Sequence, residues 1–135
     1  MESRFSSSTK AKPLILIADD NCVNMLVLRL MLKKAGYVAL EAADGLQAVE
    51  IALRERPDLI FMDIMMPKMN GISAARQILS AGGPLPRIVA VTGNSTVDVQ
   101  QDCAELGFDE VLLKPIEKTT LLATIHRLFP LSEAR

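Results

Sequence analysis

From Pro13 onward the apolar residues gather in short runs, several of them continuous, at 14–18, 38–42, 59–62, 88–91 and 111–113. Between the runs they recur at helical spacing, over 23–35, 45–55, 72–80, 96–106 and 118–129. A run of about five residues without a polar break is too short for a helix and fits a strand covered on both faces. The alternation therefore predicts five βα units. Because parallel crossovers are right-handed, such units build an open, doubly wound α/β sheet with helices on both faces. Gly36, Gly82, Gly83 and Gly107 fall where helices should end, and Ser95 is placed to cap the fourth helix.

Residues 1–12 break the pattern. They are rich in serine, carry no periodicity and read as a flexible leader or linker, which leaves 13–130 as one domain and 131–135 as a tail. At 135 residues the chain has room for a single core. Charge narrows the functions open to it. With 15 basic and 16 acidic side chains and no long run of like charges, nothing in the sequence draws in nucleic acid. The longest apolar runs fall far short of a membrane span and no signal-peptide core is present, so no membrane contact is expected. Cys22 and Cys103 lack neighbouring His or Cys at metal-ligand spacing and read as inert thiols of a reduced, cytoplasmic protein.

In an open α/β sheet ligands bind beyond the carboxyl ends of the strands, so the residues that terminate the runs carry the chemistry. The first run ends at Asp19 and Asp20, the third at Asp63, the fourth at Thr92 and the fifth at Lys114. Three carboxylates on one edge repel unless a cation joins them. An all-oxygen set with room for water suits Mg²⁺ better than zinc. A magnesium ion, an ammonium and a hydroxyl neutralise and bind phosphoryl oxygens, while a carboxylate can accept the group as an acyl phosphate. Asp63, alone at the end of the central run, is the natural acceptor; adjacent Asp19 and Asp20 suit the metal.

These residues sit in the segments ILIADDN, FMDIMMPKMNG, VAVTGN and LLKP, and with that order and spacing the chain resembles the receiver domain of two-component response regulators. The resemblance covers about 13–129. It implies a flavodoxin-like (βα)5 fold with strand order 2-1-3-4-5. It also implies that Asp63 takes a phosphoryl group from a phosphohistidine on a histidine kinase or histidine phosphotransfer protein. Asp19, Asp20, Asp63 and the backbone carbonyl of Met65 would hold Mg²⁺, Lys114 would contact the phosphoryl group, and Thr92 would move to bond it. Pro115 would follow a cis peptide bond, and Gly71 would permit a tight backbone after the acceptor loop. Such a domain assists its own phosphorylation and is not an enzyme in the usual sense. The DDNCVN segment and Asn94 look most like receivers of hybrid histidine kinases, and the six residues after Phe129 leave no room for a DNA-binding output domain. One position departs from the family pattern: Val111 stands where many receivers carry a Tyr or Phe whose ring swings inward.

Taken singly, these residues have plainer readings. Asp20 could be a helix N-cap, Lys114 a surface lysine, Thr92 a turn former, and His126 a helix surface residue. Met62, Met65, Met66 and Met69 read as packing and loop material. A phosphatase with an Asp nucleophile would need an acid at Met65, and a flavin protein a hydroxyl-rich loop where Asp19, Asp20 and Asn21 stand. A phosphate-independent interaction module with the same fold remains the alternative. In the first helix, Val27, Leu28, Met31, Leu32 and Ala35 form the arc expected to face the sheet. Val23, Leu26 and Leu30 form a second arc, expected to be partly exposed and to dock a phosphotransfer bundle or a second copy in a homodimer.

Overall fold

A computed structural model describes residues 12–93 and 96–130. The expectations for the leader, the tail, Asn94 and Ser95 lie outside the described residues. Ten elements alternate along the chain: β1 (Ile15–Ala18), α1 (Cys22–Lys34), β2 (Ala39–Ala42), α2 (Gly45–Glu55), β3 (Leu59–Asp63), α3 (Gly71–Ser80), β4 (Arg87–Thr92), α4 (Val97–Leu106), β5 (Glu110–Leu113) and α5 (Lys118–Leu128). All pairings are parallel, in the order β2-β1-β3-β4-β5. The fold is the expected five-stranded flavodoxin-like sheet.

Alternation within the strands divides the core in two. Leu16, Ile60, Met62, Ile88 and Ala90 face one side. There they meet Ala48 and Ala52 of α2, Ala74, Ala75 and Ile78 of α3, and Cys103 of α4. The small side chains let these helices lie close to the sheet. Ile15, Ile17, Leu59, Phe61, Val89 and Val91 face the other side, against Leu28 and Leu32 of α1 and Leu121 and Ile125 of α5. With both faces covered, β1 and β3 are buried along their full length, which is why their sequences are continuously apolar.

Element ends follow backbone hydrogen bonding. Asn21, Asp44, Asn70 and Thr96 cap α1, α2, α3 and α4, each side chain accepting from a backbone N–H of the first turn. Gly107 closes α4 in the left-handed region, and Gly36 and Gly82 follow the last residues of α1 and α3 with φ of 90° and 86°. α2 ends differently, on Arg56 with φ 50°, whose guanidinium donates to the Gly82 carbonyl at 3.0 Å. Two acids at the amino edge of the sheet serve the backbone. Asp58 Oδ2 accepts from the Leu14 N–H at 2.7 Å and Asp109 Oδ2 from the Ile88 N–H at 2.8 Å.

Two sequence expectations are corrected. Val38 lies outside β2 and is exposed, because pairing with β1 begins at Ala39. Val27 is 44% exposed, so the arc of α1 that meets the sheet centres on Leu28 and Leu32, with Met25, Met31 and Ala35 at its margins. Ile60, fully buried in the central strand, tests the packing: Ile60→Ala should lower stability by about 2–5 kcal/mol and Ile60→Val by about 0.5–1.5 kcal/mol, read by equilibrium urea unfolding.

Candidate functional site

Parallel pairing brings the carboxyl ends of β1, β3, β4 and β5 to one edge, and with them every strand-terminal residue singled out in the sequence. Asp19, Asp63 and Thr92 are buried, while Asp20 is exposed. Lys114 lies across the acids: its Nζ donates to Asp63 Oδ2 at 2.7 Å and stands 3.3 Å from Asp19 Oδ2. The Lys114 backbone N–H donates to the Thr92 carbonyl at 2.8 Å, and the Lys114–Pro115 peptide bond is cis. Asp20 does not cap α1. That role falls to Asn21, whose own backbone N–H donates to Asp19 Oδ1 at 2.8 Å.

The loop after β3 holds the remaining lone pairs. Asp63 Oδ1 accepts from the Met65 N–H at 3.1 Å, and the Ile64 N–H donates to the Val91 carbonyl at 3.1 Å. Gly71 admits this turn because a Cβ there would overlap the Asp63 carbonyl oxygen and stand 2.9 Å from Met62 Cγ. Beside the acids, a cavity of about 350 Å³ opens between α1 and the segment after β5, with Asp19 and Lys114 at its polar end and Val27, Leu28 and Ile116 among its apolar walls.

The charges do not balance. Burial raises the pKa of Asp63, and Asp19 adds to the effect; the Lys114 and Met65 hydrogen bonds and the Lys114 charge offset only part of it. Burial alone would lower the Lys114 pKa, but its bonds and fields with Asp63 and Asp19 prevail and raise it. One ammonium therefore serves an edge with three carboxylates, whose oxygens lie within 4.8 Å of one another. That donor set is all oxygen, half buried and one positive charge or more short of neutral, which fits a hard divalent cation.

The family model described as the response regulator receiver domain matches residues 15–126. This chain belongs to that family. Receiver domains are phosphoacceptor switches of two-component signalling, not enzymes in the classical sense. Protein CcdB of Bacillus subtilis is 37% identical over 114 residues, covering 84% of this chain and 94% of that protein. Hybrid signal transduction protein dokA of Dictyostelium discoideum is 37% identical over 120 residues, covering 87% of this chain but 7% of that protein. The receiver domain of sensor histidine kinase PA1611 from Pseudomonas aeruginosa, solved with a magnesium ion in its active-site cleft, is 36% identical. It superposes with a TM-score of 0.78, covering 87% of this chain and 97% of that one.

The receiver leaves an apolar stripe on α1: Val23, Leu26 and Leu30 are exposed as the sequence predicts, and Val27 joins them. Sequence reasoning missed the capping role of Asn21 and the close approach of the Met69 carbonyl to Gly45, the first residue of α2. Asn21 had a signal, being a capping residue just before an apolar period. Among the described residues no helix is long and apolar enough to cross a membrane.

The raised Asp63 pKa gives a signed test. A carboxyl whose folded pKa exceeds its unfolded one keeps its full relative stability below the unfolded value and loses it as pH rises through the folded value. In metal-free protein, the stability of the parent relative to Asp63→Asn should therefore fall as pH climbs above about 4, the ordinary carboxyl value. Urea unfolding of both proteins across that range measures the difference.

Proposed function

We propose that the chain accepts a phosphoryl group on Asp63 from a phosphohistidine of a histidine kinase or histidine phosphotransfer protein, in a Mg²⁺-dependent reaction. The observation that carries this reading is the convergence of Lys114, Asp19 and Asp63 within hydrogen-bonding reach, with Asp20 completing the acidic set. Asp19, Asp20, Asp63 and the Met65 carbonyl would hold the ion. When bound, it neutralises the acids and the phosphoryl oxygens.

A carboxylate oxygen of Asp63 forms the new O–P bond while the N–P bond to the donor imidazole breaks; the electron pair of that bond leaves with the imidazole nitrogen, which takes a proton from water. Lys114 exchanges its contact with Asp63 for one to a phosphoryl oxygen, and the Thr92 hydroxyl donates to another. Val111 has no ring to follow Thr92, so the response of the α4–β5–α5 face proceeds without an aromatic swing. The change is a local electrostatic event that reshapes a surface.

The exposed stripe of Val23, Leu26, Val27 and Leu30 runs from the site edge along α1, and a helical donor laid against it would bring its phosphohistidine toward Asp63. A second copy of the chain is the other occupant for that stripe.

Incubation with acetyl phosphate and Mg²⁺ should give one phosphoryl adduct by intact mass, lost in Asp63→Asn and on chelation. An unmodified parent would instead favour the phosphate-independent interaction module. Leu26→Asp, an exposed change, should leave acetyl phosphate labelling intact but slow transfer from a histidine donor by about tenfold or more. Equal donor rates for Leu26→Asp and the parent would remove α1 from the docking surface.

A further inference from the structure

The start of α2 makes a close backbone contact with the loop that follows β3. α2 begins at Gly45, which is buried, and a Cβ built there would overlap the Met69 carbonyl oxygen. It would also stand 2.6 Å from the Met69 carbonyl carbon and 2.8 Å from its Cβ. Real Cβ atoms essentially never come so near, and the obstacle is backbone, which cannot rotate aside as a side chain can. Beside it, the Asp44 carboxylate caps α2 through Oδ1 and holds Lys68 Nζ at 3.5 Å through Oδ2. Lys68 itself adopts φ 67°, a left-handed conformation uncommon for a side chain of this kind.

Met69 and Lys68 belong to the seven-residue loop 64–70 that also carries Met65. The loop has little slack. It is tied at its start by the bond from Ile64 to Val91, and at its end by the Gly71 N–H, which donates to the Ile64 carbonyl at 2.9 Å. Asn70 is committed to capping α3. Gly71 braces the loop against β3 and Gly45 braces it against α2, while Met65 of the same loop donates to Asp63.

We infer that Gly45, with the Asp44–Lys68 pair beside it, is a positioning element for the phosphoacceptor site: α2 sets where the Met65 peptide sits, and so tunes metal affinity and phosphoryl acceptance. This inference rests on the proposed role of Asp63 and Met65 only for its consequence. The mechanical coupling is testable without metal or phosphodonor.

In ¹⁵N-labelled protein without metal, Gly45→Ala should move the Met65 amide resonance. Ala52→Gly, which loosens the same helix away from the loop, should lower stability and leave that resonance in place. By calorimetric titration, Gly45→Ala should weaken Mg²⁺ binding by about tenfold or more, the loss typical when the support behind a ligand is removed. Lys68→Met supplies a second variant, exposed and free of overlap. Loss of a nearby positive charge alone would tighten Mg²⁺ binding, so a weakening of about twofold with a shifted Met65 amide can come only through the loop.

An unchanged Met65 amide in Gly45→Ala would overturn the inference. If that variant does not fold, an unchanged amide or tighter Mg²⁺ binding in Lys68→Met would do the same. A parent that binds Mg²⁺ yet takes no phosphoryl group would refute the proposed function and leave the positioning role standing.

Discussion

The site depends on one contact, the 2.7 Å bond from the Lys114 ammonium to Asp63. Two carboxylates buried at the ends of neighbouring strands would repel each other in a medium that screens poorly. Lys114 reaches both from the end of a third element and makes their burial tolerable without making it comfortable. Its single charge leaves Asp63 with a raised pKa, so the carboxyl is only partly satisfied within the protein. A site fully neutralised by its own lysines would have no charge left to balance.

That contact has its geometry because the sheet is parallel. Parallel strands send every carboxyl end to one edge, and continuous burial of β1 and β3 leaves their terminal acids little freedom to turn toward solvent. The opposite edge carries acids too, but Asp58 and Asp109 give their oxygens to backbone N–H groups of neighbouring strands. Identical side chains thus serve structure at one edge and chemistry at the other. Asp19 and Asp63 each accept one backbone N–H on Oδ1 but turn Oδ2 toward the shared Lys114 ammonium.

Much of this was legible in the sequence for a physical reason. Uninterrupted apolar runs have few ways to be buried, so the strands were identifiable, and the rule that ligands gather at carboxyl ends singled out Asp19, Asp63, Thr92 and Lys114. Element ends were less legible because caps depend on local hydrogen bonds: Asn21, not Asp20, caps the start of α1, and Thr96 caps the start of α4. Val27 was misassigned because helical periodicity alone does not say how wide a stripe the sheet will cover. The Gly45–Met69 approach was invisible, since no pattern in a sequence records which backbone carbonyl will press on which helix start.

The anchoring of Lys12 has a spatial meaning. Lys12 donates from its ammonium to the Ala35 carbonyl at 2.8 Å and lies over the Tyr37 ring at 4.9 Å, which fixes it at the far end of α1 from the acids. α1 spans 13 residues, or about 20 Å at about 1.5 Å per residue. The helix is therefore a ruler with the acid cluster at one end and Lys12 at the other. Whatever touches the chain at Lys12 meets it a full helix length from Asp63.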